Sequence, residues 1–161
     1  AQRYTDALAR QGKLAEQYQT VDQLARKENR IDLLRHYARA ARDAGLYAES
    51  AAAYSTLFEL GYGDVAMLRE AGIASYNHAD YSQARHYLTQ YMQASDETRA
   101  ADPHAHEAYF VYAEILRRDH ETESMKAYYQ AALDSLNSEP REDDTEALSR
   151  QAQSLIWTDR V

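Results

Sequence analysis

Apolar residues recur at intervals of three and four positions along most of the chain, as they do on the buried side of amphipathic helices. One such series is Leu33, Leu34, Tyr37 and Ala41. Five glycines and two prolines in 161 residues leave few positions that would break a helix. Valine and isoleucine are scarce, and no segment alternates apolar and polar residues as a strand does. The pattern therefore predicts an all-α protein.

The chain also repeats itself at a spacing close to two helices. Segments that start at Gly12, Gly45, Ala79 and His120 align without gaps, at offsets of 33, 34 and 41 positions. The tenth position of each segment holds a large apolar residue: Val21, Tyr54, Leu88 and Tyr129. A period near 34 with a turn residue at the start of each segment predicts repeated helix-turn-helix units.

This unit resembles the tetratricopeptide repeat (TPR), a helix-turn-helix motif of about 34 residues with aromatic and small residues at fixed positions. In residues 31–64 the matching residues are Leu34, Tyr37, Ala38, Ala41, Gly45, Tyr47, Tyr54 and Leu57. In residues 65–98 they are Leu68, Ala71, Gly72, Tyr81, Ala84, Leu88 and Tyr91. In residues 106–139 they are Tyr109, Tyr112, Ala113, Leu116, Tyr129, Ala132 and Leu133. The resemblance implies an α-α superhelix, or solenoid, of about four TPR-like repeats, the first at about residues 1–30.

Two segments depart from the regular spacing. Residues 99–105 form a polar insertion before the fourth unit, in which Pro103 is placed to start a helix. Residues 140–161 begin as an acidic linker and continue, from Asp144 or Thr145 through Ile156, with the pattern of a last helix. That helix is expected either to cap the solenoid or to begin a fifth repeat.

Charge and composition exclude several classes of function. The net charge of -8 argues against duplex nucleic acid as a partner, because such binders need a positive field. No apolar run has the length of a membrane span, and the first ten residues lack the apolar core of a signal peptide. A soluble protein is expected, of the cytoplasm or the periplasm, with the compartment left open. The absence of cysteine removes disulfides and thiolate chemistry.

No catalytic or metal-binding motif stands out. His104, His106 and His120 lie near Asp102 and Glu107 in the sequence, but their spacing is not that of a zinc-binding helix. A solvated loop is the preferred interpretation of these histidines. The chain also lacks a nucleophile elbow and a phosphate-binding glycine loop. We therefore expect neither enzymatic activity nor a cofactor.

Arginine supplies 15 of the 18 basic residues, and its planar guanidinium suits the recognition of carboxylates, phosphates and sulfates. The TPR resemblance implies that the first helix of each unit lines a concave groove. The residues expected to bind a partner there are Arg10, Arg35, Arg39, Arg42, Arg69, Tyr76, Asn77, Phe110, Arg117 and Arg118. Arg35, Arg39 and Arg42 are spaced i, i+4, i+7, so they should form a row on one helix face.

The resulting hypothesis is a non-enzymatic protein-protein interaction scaffold that binds an anionic or extended partner segment in the groove. An acidic protein or peptide is the expected partner, and an acidic polysaccharide is the alternative ligand. A competing interpretation is that the arginines only form solvated ion pairs with acidic neighbours such as Asp32, Asp43 and Glu70. The alternative function is a structural or self-assembling spacer of a larger bacterial machine, such as a polysaccharide-export apparatus, in which the chain would form a homo-oligomer.

Overall fold

A computed structural model describes the backbone of residues 2–138 and 151–153, and side chains from residue 9 onward. These residues form helices joined by short turns, and none of them is in a β-strand. The prediction of an all-α protein is thus confirmed.

The helices in the described part of the chain are α1 (Gln2–Glu28), α2 (Ile31–Asp43), α3 (Tyr47–Glu59), α4 (Val65–Asn77), α5 (Tyr81–Met92), α6 (Asp96–Ala100), α7 (Ala105–Arg118) and α8 (Thr122–Asn137). The chain divides into two compact units, Ala1–Ala84 and Arg85–Val161, with the boundary inside α5. Each unit has its own packed helix pair, which is α2 with α3 in the first and α7 with α8 in the second.

In the first unit α1 packs against both α2 and α3, and α4 packs against α3. The core between these helices contains Leu34, Tyr54 and Leu57, which have no exposed surface. Ser50 lies where α2 and α3 approach closely, and its hydroxyl donates to the carbonyl of Ala38 at 2.8 Å. Burying each large side chain stabilises the unit by about 1.5 to 3 kcal/mol.

The second unit is held together by aromatic and aliphatic side chains between α7 and α8. Ala113, Leu116 and Tyr129 are almost completely buried there. The rings of Tyr112 and Tyr128 meet edge to face, with 4.7 Å between their centroids. Such a pair adds about 0.5 to 1.5 kcal/mol to the free energy gained by burial.

Four helices end in the same way, with a residue in the left-handed conformation just past the last turn. These residues are Gly45 after α2, Gly61 after α3, Ala79 after α4 and His120 after α7. In each case the next amide donates back to a carbonyl five residues earlier, at 2.8 to 2.9 Å. This is the Schellman arrangement, which satisfies carbonyls that a helix end would otherwise leave unpaired. The turns predicted at Gly45, Ala79 and His120 are present.

Exchanging glycine and alanine at two of these turns should change stability in opposite directions. Gly45 has a φ of 79° and Ala79 a φ of 64°, a region that costs a side-chain-bearing residue roughly 1 to 2 kcal/mol. Glycine loses more backbone entropy on folding, which offsets part of this cost. We expect Gly45→Ala to destabilise the protein by about 1 kcal/mol and Ala79→Gly to stabilise it by about 0.5 kcal/mol. Urea unfolding followed by circular dichroism checks both, and a change of equal sign would contradict this account.

The predicted turn at Gly12 is absent, because α1 is one continuous helix of 27 residues. The first predicted repeat is therefore a single long helix and not a helix pair. A glycine in a helix interior costs only about 1 kcal/mol relative to alanine. Contacts with the next helix outweigh that cost, since the Tyr37 hydroxyl donates to the carbonyl of Leu14 at 2.6 Å. The Tyr18 and Tyr37 rings also pack at 5.8 Å.

The predicted insertion at residues 99–105 is part of an ordered connection. Its first two residues end the short helix α6, whose first turn is capped by the side chain of Ser95. Asp102 accepts a hydrogen bond from the Tyr91 hydroxyl at 2.8 Å, which ties the connection to α5. Helix α7 begins two residues after Pro103, close to the predicted start.

Most of the predicted acidic linker and last helix, residues 140–161, lies outside the described residues. Residues 151–153 are helical, and Ala152 is buried. Over the described residues, no helix combines the length and the apolarity that crossing a bilayer requires.

Candidate functional site

The arginine row of α2, which consists of Arg35, Arg39 and Arg42, lies on one face of that helix. Their side chains are 37%, 45% and 28% exposed. Residues separated by three or four positions stand one above the other on a helix, which is why the spacing alone placed them together. The row therefore combines three guanidinium groups on a surface that solvent reaches.

Two carboxylates, one just before α4 and one within it, hold the row in position. Asp64 pairs with Nη2 of Arg35. Glu70 pairs with Nε of Arg39 at 3.3 Å and with Nη1 of Arg42 at 3.8 Å. One of the two interpretations of these arginines was that they form ion pairs within the chain, and such ion pairs are present. The contacts also order the side chains, so a ligand would meet guanidinium groups already in place.

Glu70 is the buried centre of this arrangement, with a side chain only 7% exposed. Besides Arg39, it accepts a hydrogen bond from the Tyr54 hydroxyl at 2.6 Å. Burial and the hydrogen bond to Glu70 raise the pKa of Tyr54 well above its usual value. The same carboxylate raises the pKa of Arg39 through their hydrogen bond. The charge of Glu70 is therefore compensated on both sides, as a buried carboxylate requires.

A related arrangement occurs in the second unit. Glu114, with 11% of its side chain exposed, accepts hydrogen bonds from the Tyr129 hydroxyl and, at 2.9 Å, from Nη2 of Arg117. Burial, followed by the hydrogen bond to Glu114, raises the pKa of Tyr129 well above its usual value. Tyr129 occupies the same position of its repeat as Tyr54 does. Each unit thus joins a buried tyrosine, a glutamate and an arginine.

A cavity of about 290 Å³ lies beside the first arginine of the row, and we call it the Arg35 cavity. It is lined by Ile31, Arg35, Leu57, Gly61, Tyr62, Gly63, Asp64 and Met67. Its floor is formed by the apolar residues Leu57 and Met67, which are almost completely buried. A side chain on Gly63 would collide with the ring of Phe58, so this wall of the cavity requires glycine.

Two features of the Arg35 cavity point to binding. Tyr62, at 42%, is the one large apolar side chain that the described part of the chain leaves exposed. In addition, Nε of Arg35 is buried and has no hydrogen-bond partner among the described residues. An unsatisfied buried donor is uncommon in folded proteins and calls for an explanation.

The other predicted binding residues lie in varied surroundings. Arg69 was expected to line an open groove, but it is only 5% exposed. Its side chain is packed inside the fold, so it is not available at the surface. Tyr76 and Phe110 are half-buried, since their rings pack on Tyr81 at 5.4 Å and on Tyr129 at 5.8 Å.

The remaining predicted residues are exposed. They are Arg10 and Asn77 in the first unit and Arg117 and Arg118 in the second. The structure therefore brings together the row on α2, whereas the predicted residues as a whole are divided between the two units.

Tyr62 and Asp64 were not recognised as site residues from the sequence. The available signal was the tyrosine between two glycines, Gly61 and Gly63, which marks an exposed turn with an aromatic side chain. The sequence could not show that this turn lies beside Arg35, because the two are about one helix pair apart along the chain.

Within residues 2–138 and 151–153, no group of three or more histidine, aspartate or glutamate side chains is placed to hold a metal ion. His104 and Glu107 do approach each other, at 3.7 Å between Nδ1 and Oε1, and both are exposed. Two partly solvated groups of this kind form a surface ion pair when the histidine is protonated.

Comparison with known proteins finds no family model that matches the chain and no curated protein that matches it. The resemblance to the TPR therefore rests on the sequence alone, through its repeated spacing and the small and turn residues at fixed positions of each unit.

Proposed function

We propose that the chain is a non-enzymatic scaffold of the TPR type that binds an acidic, extended segment of another protein. The observation that carries the proposal is the arginine row of α2, with three partly exposed guanidinium groups on one face. The recurring helix hairpins with left-handed turns support the repeat architecture and, with it, a role in binding other proteins.

The spacing of the row suits an extended peptide. Arg35 and Arg39 are four residues apart, which corresponds to about 6 Å along a helix. In an extended segment, side chains on the same side repeat about every 6.6 Å. Acidic residues at alternate positions of such a segment would therefore face successive arginines of the row.

The arginines have donors beyond those that hold them in place. Arg39 reaches Glu70 through Nε, and a guanidinium carries five N–H groups. A carboxylate of the partner would therefore add to the existing ion pairs without displacing Glu70. Because these contacts are partly exposed, each is worth about 0.2 to 1 kcal/mol in water and more where the partner excludes solvent. Binding should accordingly be modest and should weaken as salt is added.

The proposal predicts that an alternating serine-glutamate decapeptide binds and that Arg39 contributes to its affinity. Fluorescence anisotropy of the labelled peptide measures binding to the intact 161-residue chain at low and at physiological salt. Arg39→Gln should weaken binding about tenfold, which corresponds to roughly 1.4 kcal/mol for one charge-assisted contact.

The matched control is Arg85→Gln, which removes an ion-paired arginine of the second unit that is 35% exposed. This variant should change the affinity less than about twofold. An alternating serine-lysine peptide should not bind. Equal binding of the lysine and glutamate peptides, or no binding of the glutamate peptide up to about 1 mM, would contradict the proposed function.

A further inference from the structure

We propose that the Arg35 cavity takes one apolar side chain of the partner segment, so that the recognised sequence is an apolar residue next to alternate acidic residues. This inference rests on the proposed function and adds an anchor to it. The cavity lies at the start of the row, where it is lined by Ile31 and Arg35, one helical turn apart on α2.

The size and lining of the cavity select the occupant. A volume of about 290 Å³ is roughly twice that of a cavity that holds one benzene molecule, so the cavity has room for a whole apolar side chain. Its floor of Leu57 and Met67 offers no polar group, so water gains little there. An apolar side chain such as that of leucine therefore suits the cavity better than a polar one does.

Tyr62 and Arg35 both line this cavity, together with its apolar floor. Tyrosine and arginine are the residue types, with tryptophan, that most often dominate the affinity of protein interfaces. Such residues contribute most to the affinity when they surround a pocket from which the partner excludes water. The exposed ring of Tyr62 is available to cover an inserted side chain from one side.

Arg35 is able to change partners without damage to the helix beside it. Asp64 accepts from Nη2 of Arg35 with Oδ2, while Oδ1 caps α4 by accepting from the amide of Met67 at 2.8 Å. The buried Nε of Arg35 gains no hydrogen bond in this arrangement. A partner that brings a main-chain carbonyl or a carboxylate beside the cavity would give Arg35 an additional acceptor when its side chain turns, and the cap of α4 would remain.

The test compares three labelled hexapeptides on the intact chain by fluorescence anisotropy. The first has leucine ahead of alternating serine and glutamate, the second has the reverse order, and the third has serine in place of the leucine. We expect one of the two leucine peptides to bind about tenfold more tightly than the serine peptide, as burial of one large aliphatic side chain allows. Two leucine orders are used because a helix face accepts an extended segment in either direction.

Two variants assign this advantage to the cavity. Tyr62→Ala removes the exposed wall and should reduce the leucine advantage to less than twofold. Tyr62→Phe keeps the ring and removes only the hydroxyl, which contacts Asn29 at 3.3 Å, so it should retain the advantage. Circular dichroism verifies that both variants keep their helices.

The outcomes separate this inference from the function on which it rests. If leucine and serine peptides bind equally while Arg39→Gln still weakens both, the cavity is not an anchor and the scaffold function stands. An unchanged leucine advantage in Tyr62→Ala also overturns the cavity. If none of the glutamate peptides binds, the proposed function fails, and the anchor fails with it.

Discussion

Glu70→Ala should lower the free energy of unfolding by about 3 kcal/mol. Loss of one member of a buried ion pair costs about 3 to 5 kcal/mol, because the remaining groups lose their partner inside the protein. Here the lower end applies, since Arg39 is 45% exposed and regains water when Glu70 is absent. The Tyr54 hydroxyl is fully buried and cannot regain a hydrogen bond to water, so it accounts for a large part of the lost stability.

Urea unfolding of the purified chain measures this loss, and an exposed carboxylate supplies its control. Asp43, which is 65% exposed, also pairs with an arginine of the row, at 3.3 Å from Nη2 of Arg42. Asp43→Ala should cost less than about 0.5 kcal/mol, as is usual for surface ion pairs. A double-mutant cycle with Tyr54→Phe should show a coupling of about 1 kcal/mol with Glu70→Ala. Similar losses for the two carboxylates would contradict the central position of Glu70.

The protein should lose stability steeply above about pH 10, where unfolded tyrosine ionises. Burial raises the pKa of Tyr37 to about 12 and also raises the pKa of Tyr54 and Tyr129. A tyrosine whose folded pKa is raised stabilises the fold fully below its unfolded pKa, and this stabilisation is lost as the pH rises through the folded pKa. An ionised Tyr54 would also face the negative charge of Glu70 at hydrogen-bonding distance.

Urea unfolding at a series of pH values between about 8 and 12 measures this loss, and near-ultraviolet absorbance reports tyrosine ionisation. Tyr37→Phe should lose about 1 kcal/mol at neutral pH, because the hydrogen bond to Leu14 is absent, but its stability should fall less steeply above pH 10. Tyr62→Phe changes an exposed tyrosine, so the free energy of unfolding of this variant should vary with pH as it does in the unmodified protein. Stability that stays constant up to pH 12 would show that these tyrosines are not held protonated by the fold.

The helices and most of their turns could be predicted because their causes are local. Apolar spacing in α2 and α7 follows the 3.6-residue period, and the turn after α2 contains a glycine where the left-handed conformation is needed. Gly12 shows the limit of such reasoning. The same residue type at the same position of the repeat lies inside a helix, because contacts of α1 with Tyr37 and with the carbonyl of Ala44 favour the continuous form.

The candidate site was predictable only in part. Arg35, Arg39 and Arg42 lie together because four or three residues separate them on one helix. Their pairing with Asp64 and Glu70 depends on how α4 packs in the first unit. The local sequence around the arginines does not specify that packing.

By itself the sequence determined the helical class, the turns at Gly45, Ala79 and His120, and the arginine row, since each depends on residues within about one helical turn of one another. The tertiary structure decided that Arg69 is buried, that Glu70 joins Tyr54 to the row and that Tyr62 and Arg35 line the same cavity. Those outcomes depend on which helix faces are brought together in space, and packing between residues distant in the chain sets that choice.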